Sequence, residues 1–587
     1  MTEHDVHIKN GLIVNGSGAD PFKGELSIKD GKITAVSKEP IEGDAVRVLD
    51  AGGQAVSPGF IDVHNHGDLS ILYYPKADGF VRQGITTFVG GQCGDSMGPF
   101  GDYIGLPWIH GDLYSDIAPR MYVKDWLQPR DLFNEKHMEV YGWKIDWRDL
   151  SEFHKKVESI GLSPNMVPMI GHGDIRSLVM GSDFERAATP DEITKMADET
   201  EKAMLEGARG ITVGRDYDPG IWAEWDELLA CAKAAAKHDG IYASHSLRTG
   251  HRKPRRPGEQ PPVKLNGVLE ALNIGRETGM PVQVSHLGVI YDVVPSDNRV
   301  LMKAAIDATL ELIDKANSDG VEADFDTIPH HLAGGIGTSP WLVHSLRPWL
   351  SIAGSPEQLS KALLMPDLRK EITESIWAGK HYSLNPNINA KWAAGRVIVE
   401  CSESAYLGKT VAQVAKESGV DELVALFDIL QADPYTKVER QGADDWVKLA
   451  FYKHPNAMIG VDTFAVDHTR QSKSNPPSYP SQNSYGGFPC YLRRTVRESK
   501  IMTIQEAVHK ITGSPARKFK LINRGLLKTG FYADVAVWDP EKITDKGNQI
   551  EPRQYPEGVN YVIVNGDLVV DGNAHTGSLP GKVLYRE

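Results

Sequence analysis

Ser57-Pro58-Gly59-Phe60-Ile61-Asp62-Val63-His64-Asn65-His66-Gly67 decides the fold of this chain. A Pro-Gly turn opens the stretch, an apolar strand follows, and the strand runs into two histidines spaced two apart. Strand side chains alternate faces, so His64 and His66 point the same way at the strand's end. Neutral imidazole is the commonest metal ligand, and a pair fixed on a strand needs little further ordering to share one ion.

Downstream, apolar strands alternate with helical periods, the pattern of a parallel sheet. Eight strands are legible: Phe60–His64, Ile85–Gly90, Met166–Ile170, Gly210–Val213, Ile241–His245, Val282–His286, Val321–Phe325 and Ala457–Val461. Eight is the number that closes a (β/α)8 barrel. Thr189 caps a helix that has Pro190 in its first turn and Asp191 and Glu192 at its positive end. Further helical periods run over Ala223–His238, Leu265–Glu277 and Leu301–Asn317.

Barrel chemistry gathers at the C-terminal ends of the strands. The first strand ends in His64 and His66 and the second in Gly90-Gly91-Gln92-Cys93-Gly94. The third ends in Gly171-His172-Gly173, the fifth in His245, the sixth in His286, and the eighth in Gly460-Val461-Asp462. Histidines, a cysteine and an aspartate converging there form a nitrogen, sulfur and oxygen donor set that suits Zn²⁺.

The segment from Val6 to Asp50 reads differently, as short alternating strands with glycine turns, expected to be antiparallel hairpins. Ala533–Trp538, Tyr561–Gly566 and Leu568–Gly572 repeat that style. Neither end has enough strands to bury a core alone, so residues 1–57 and 516–587 are expected to build one β domain, a small sandwich, beside a catalytic barrel over 58–515. Two excursions interrupt the barrel, at 98–147 and 330–455. Both follow strands and so lie on the active-site face, where they cover substrate or, alternatively, meet a second copy of the chain as a homo-oligomer.

Over 587 residues the composition is that of a soluble globular protein, 41% hydrophobic and 24% charged. A net charge of −14 disfavours nucleic acid and anionic membrane as partners. No apolar run approaches the roughly 18 residues of a membrane span, and the N-terminus has no signal pattern, so a cytoplasmic location is expected. The four cysteines, Cys93, Cys231, Cys401 and Cys490, have no paired spacing, which argues against a disulfide framework.

On Pro58-Gly59-Phe60-Ile61-Asp62-Val63-His64-Asn65-His66, Gly91-Gln92-Cys93-Gly94, Gly171-His172-Gly173, Tyr242-Ala243-Ser244-His245, Val284-Ser285-His286-Leu287 and Gly530-Phe531-Tyr532-Ala533-Asp534-Val535, the chain resembles the amidohydrolase superfamily, and within it the N-acyl-D-amino-acid deacylase (D-aminoacylase) family. The resemblance covers nearly the whole chain. It implies a zinc-dependent hydrolase that cleaves the carbon–nitrogen bond of a small-molecule amide with metal-activated water. It further implies that Cys93, His245 and His286 hold a tight zinc, that His64, His66 and Asp462 form a weaker second site, and that Asp462 is the general base. The cysteine in Gly-x-Cys-Gly points to this branch, since most others place a carboxylated lysine at the bridging position.

The chain departs from the family where a substrate carboxylate is usually held. His286-Leu287-Gly288 replaces a Leu-Lys ending, and Ser481-Gln482-Asn483-Ser484-Tyr485-Gly486-Gly487-Phe488 replaces a stretch with arginine at the position of Asn483. A buried carboxylate without a cation is costly, on the order of several kcal/mol. Either the substrate lacks that group or another cation meets it, with Arg248, Arg252, Arg255 and Arg256 on the loop after the fifth strand as candidates. His172, Arg248 and Tyr485 are the candidate substrate contacts. The alternative functions are a cyclic amide or imide hydrolase of the hydantoinase or dihydroorotase kind, which fits the lost cations, and a non-catalytic barrel scaffold, which expects decayed ligands.

Overall fold

The computed structural model describes residues 3–106, 127–248, 263–291, 293, 298–330, 339–377, 393–440 and 445–586. Among these, eight barrel strands follow one another: Phe60–Asp62, Ile85–Val89, a third split into Asn165–Val167 and Ile170–Gly171, then Gly210–Gly214, Ile241–His245, Val282–Val284, Ala323–Thr327 and Ala457–Ile459. Every ladder between barrel neighbours is parallel. The third strand breaks around Pro168, which has no N–H to give. Its first half pairs with the second strand and its second half with the fourth. The eighth strand returns to the first, where the Asp462 N–H donates to the His64 carbonyl and the His66 N–H to that of Thr463, both at 2.9 Å.

Alternation sorts the fifth strand. Ile241 and Ala243 join Ile61, Val63, Val89, Val167, Met169 and Met458 in an inner apolar cluster, while Tyr242 packs in the outer core. Ala516, Phe519 and Leu521 fill the same inner cluster. Burying each of the Val, Leu, Ile, Phe and Met side chains contributes about 1.5–3 kcal/mol, and polar groups collect at the strand ends. Outside, Pro190–Leu205 carries both halves of a capping box, the Glu192 carboxylate accepting from the Thr189 N–H at 2.7 Å and Thr189 Oγ1 from the Glu192 N–H at 3.4 Å. The other helices include Trp225–Ala236, Val263–Thr278 and Arg299–Ser318.

Strands from both chain ends form one nine-stranded sheet. His4–Ile13, Phe22–Lys29, Lys32–Ser37, Ala45–Asp50 and Ala55–Pro58 come from the front, and Val535–Trp538, Val559–Val564, Asp567–Asp571 and Ala574–His575 from the end. The halves join where Ala55–Pro58 runs antiparallel to Val535–Trp538. Asp30 and Gly31 turn the second hairpin with φ of 49° and 76°, the left-handed geometry a tight hairpin needs. One expectation is corrected here: Ala45–Asp50 and Ala55–Pro58 both run parallel to His4–Ile13. Residues 38–44 carry the chain across to the other edge of that first strand before it starts again, so no hairpin forms.

The first excursion pairs Tyr103–Gly105 with Leu127–Pro129 and adds the helix Arg130–Tyr141. Phe133 and Trp147 seat it in the main core. The second has a core of its own, with Leu342, Leu346, Leu359, Ile372, Phe427 and Ile429 buried together. Helices Arg347–Ala353, Val411–Ser418 and Glu422–Ala432 and the antiparallel pair of Arg396–Glu400 with Lys437–Arg440 surround it. Among the described residues no helix is long and apolar enough to cross a membrane.

Candidate metal centre

Six side chains from five strand ends meet around one sulfur. Cys93 Sγ stands 3.2 Å from His64 Nε2, 3.3 Å from His245 Nδ1 and 3.7 Å from His286 Nε2. An Asp462 carboxylate oxygen lies 3.3 Å from His66 Nε2 and 3.6 Å from His64 Nε2. Two overlapping donor sets result, His64, His66, Cys93 and Asp462 in one and Cys93, His245 and His286 in the other. Cys93 belongs to both.

The backbone is bent to achieve this. Cys93, His286 and Asp462 have φ of 58°, 37° and 49°, left-handed values that cost a residue with a Cβ on the order of 1–3 kcal/mol. Surrounding bonds hold them there. Tyr217 Oη donates to the Cys93 carbonyl at 2.7 Å, and the His286 N–H donates to Asp326 Oδ1 at 2.8 Å. Gly94, next to the cysteine, has φ of 84°, and a Cβ there would come within 2.6 Å of the Gly214 nitrogen, so this turn admits no larger residue.

Sequence reasoning missed Asp326. This buried carboxylate on the seventh strand lies 3.2 Å from His64 Nδ1 and accepts from Gln283 Nε2 at 2.5 Å as well as from His286 N–H. It fixes the His64 tautomer, with Nδ1–H turned outward and Nε2 presented to the centre, and so orients two ligands at once. A signal was present: in Ala323-Asp324-Phe325-Asp326-Thr327 alternation sends the two acids to the inner face, the second at the strand's end.

The electrostatics favour positive charge beside Cys93 and Asp462. Burial opposes charge on His66, but Asp462 and Cys93 hold its imidazolium and raise its pKa to about 10. His64 is raised well above the usual histidine range against the same burial, chiefly by Asp326, Cys93 and Asp462. The Cys93 thiol, which burial would raise, is pulled well below its usual range by His64 and His245. Asp462 is likewise held far below the carboxylate range despite burial, by His64, His66 and His286. His245 goes the other way, pushed to about 3 by burial and by Arg248. A thiolate and a carboxylate facing imidazole nitrogens at these spacings fit a divalent ion of borderline softness.

The candidate substrate contacts fare unevenly. His172 begins the helix His172–Met180 and gives Nε2 to Glu227 at 2.8 Å, with Arg176 on the same carboxylate. Tyr485 Oη donates to the Asp467 carbonyl at 2.8 Å. Neither is drawn into the ligand set. Arg248 touches the set from outside, its Nη2 lying 2.6 Å from His245 Nε2. Asn483 is buried, its amide oxygen accepting from the His330 N–H at 3.1 Å and from His330 Nδ1 at 2.6 Å. Gly288 is exposed, with open space where a Cβ would stand. Arg252, Arg255 and Arg256 lie outside the described residues.

Residues 480–570 match the model of the Amidohydrolase family. The chain is 27% identical to an N-acyl-D-aspartate deacylase of Alcaligenes xylosoxydans xylosoxydans, over 99% of this chain and 95% of that one. It is also 27% identical to a D-aminoacylase of the same organism, over 99% and 98%. An N-acyl-D-glutamate deacylase from Bordetella bronchiseptica, solved with zinc and a phosphonate mimic of the tetrahedral intermediate, superposes with a TM-score of 0.68 at 27% identity over 99% of both chains. Over nearly its whole length the chain is thus similar to D-aminoacylases and related N-acyl-D-amino-acid deacylases. As an amidohydrolase it is a metal-dependent hydrolase of carbon–nitrogen bonds other than peptide bonds. The scaffold alternative expects decayed ligands, whereas the six side chains that converge here are all of metal-binding type.

Proposed function

We propose that this enzyme uses zinc, held by Cys93, His245 and His286 with a second, weaker site at His64, His66 and Asp462, to deacylate N-acyl amino acids. The observation that carries the reading is Cys93, whose sulfur is within 3.7 Å of ligand nitrogens in both donor sets. A bridging cysteine favours the deacylase branch over the cyclic imide hydrolases, which the resemblance associates with a carboxylated lysine. Bound zinc supplies Lewis acidity, polarising the amide carbonyl and lowering the pKa of water toward about 7.

The chain's own groups do the rest. Asp462, ionised far below neutrality, is placed to take a proton from the attacking water and return it to the leaving amine nitrogen. Asp326 keeps His64 in register. Arg248 is an arginine and can only donate, so its 2.6 Å contact uses the lone pair of His245 Nε2. Ligation through Nδ1 requires Nε2 to carry the proton, so the contact and ligation exclude one another. Were His245 to hold zinc through Nδ1, Arg248 would be left to Asp216, whose Oδ2 is 3.9 Å from its Nε, or to an incoming carboxylate. That favours Arg248 as the replacement for the cations missing at Gly288 and Asn483.

The test is a hydrolysis screen of the zinc-loaded protein across N-acyl-D-amino acids, N-acyl-L-amino acids, amides without a carboxylate and cyclic imides. Preference for an acylated amino acid is expected. Turnover confined to cyclic imides would overturn the reading.

A further inference from the structure

Away from the catalytic centre, a second donor set forms where three parts of the chain meet. His330 lies just beyond the seventh barrel strand, Cys490 is in the helix Asn483–Leu492, and Asp545 follows the sheet strand Val535–Trp538. One donor atom from each lies within 4.8 Å of the other two. His330 and Cys490 are buried and Asp545 nearly so. None of the three has a place in the reaction derived above. We propose that His330, Cys490 and Asp545 bind a divalent, thiophilic metal ion of the zinc type, separate from the catalytic centre, as a clasp between barrel and terminal sheet.

The groups around the three are arranged as ligand supports. The Asn483 amide oxygen accepts from both His330 N–H and Nδ1, which places the ring proton on Nδ1 and leaves Nε2, 2.8 Å from Asp545 Oδ2, as the donor nitrogen. Arg493 Nε donates to the other oxygen, Oδ1, at 2.9 Å, orienting the carboxylate with Oδ2 turned toward His330. The same arginine reaches Glu498 at 2.6 Å, so its charge is balanced. A dication with one thiolate, one carboxylate and one neutral imidazole is then neutral overall. Donors around a tetrahedral zinc stand roughly 3.3–3.7 Å apart. Nitrogen and oxygen must therefore open by under about 1 Å, and the sulfur close by a similar amount, within reach of side-chain rotation. Three protein ligands leave the fourth position to water.

The competing state is an ion pair of His330 with Asp545 and Arg493 that holds no metal. Two measurements separate the states. The full-length enzyme and its Cys490→Ser variant are saturated with zinc, dialysed, and counted by inductively coupled plasma mass spectrometry. The variant is expected to hold one ion per chain fewer while keeping hydrolysis within about twofold, since the change removes one thiolate ligand and nothing at the catalytic centre. If Cys490→Ser does not fold, Asp545→Asn takes its place in the count. In parallel, Cys93→Ala loaded with Co²⁺ is expected to show a near-ultraviolet thiolate-to-cobalt band that disappears in Cys93→Ala/Cys490→Ser. Equal zinc counts, or no cobalt band in Cys93→Ala, would overturn the proposal and leave the metal-free ion pair.

Discussion

Replacing Asp326 with asparagine probes the support of the metal centre without touching a ligand. In the native site one carboxylate accepts from three donors: His64 Nδ1, Gln283 Nε2 and the His286 N–H. An amide of the same shape offers one oxygen and turns an NH₂ toward at least one of them, so a donor faces a donor inside a fully buried site. Hydrogen bonds to a charged group contribute about 1.5–3 kcal/mol each. Loss of the carboxylate behind a ligating histidine typically lowers metal affinity about 10–100-fold, or about 1.4–2.7 kcal/mol. Both routes give a similar figure. The assay is competition against a chromophoric chelator at fixed pH, with circular dichroism to confirm the fold. Asp326→Asn should weaken the metal dissociation constant by at least tenfold, with kcat at saturating metal reduced less than kcat/KM at limiting metal. A dissociation constant within twofold of the parent would refute the assignment of Asp326 as the group that orients His64.

Asp462→Asn is expected to keep the fold and the ions at Cys93, His245 and His286 while lowering kcat about 10²–10⁴-fold, because an amide cannot accept the proton; steady-state kinetics beside a metal count checks it. Arg248→Ala should cost about 2–4 kcal/mol in kcat/KM for an N-acyl amino acid and little for a matched amide without the carboxylate, read from parallel kinetics. His154, buried between Phe153 and Tyr585 with neither ring nitrogen bonded, has its pKa lowered by burial from 6.5 to about 3. The unfolded chain therefore takes up a proton that the folded chain refuses, and stability falls as pH drops from about 6.5 toward 3, by about 2 kcal/mol at pH 5. His154→Phe should remove that part of the acid sensitivity in urea melts at pH 5 and 7.

The barrel was legible because its strands are short apolar runs bounded by helices with strong caps. Each of the eight appears within a few residues of its expected place, the main difference being the break at Pro168. The candidate donors His64, His66, Cys93, His245, His286 and Asp462 were legible because a strand's end is a fixed place and His, Cys and Asp are few, and the structure brings the six together. Pairing direction in the terminal sheet was not. Whether Ala45–Asp50 returns beside its predecessor or beside the first strand depends on the path of 38–44, which no local pattern encodes. His172 shows the converse limit: a histidine at a strand end looks the same in sequence whether it faces a metal or, as here, Glu227. Asp326 was missed because the expected seventh strand stopped at Phe325, one residue short of the carboxylate that faces His64.

The junction of Ala55–Pro58 with Val535–Trp538 has a consequence for biosynthesis. The partner of an early strand is made nearly five hundred residues later, on the order of half a minute to a minute and a half at ribosomal speed. During that interval the emerging chain carries an open strand edge with unmet N–H and C=O groups, the kind of surface that recruits other chains. Ribosome-associated chaperones that cover this edge should therefore raise the yield of folded chain. Chains truncated before Val535 should accumulate as aggregates even when the barrel portion is intact.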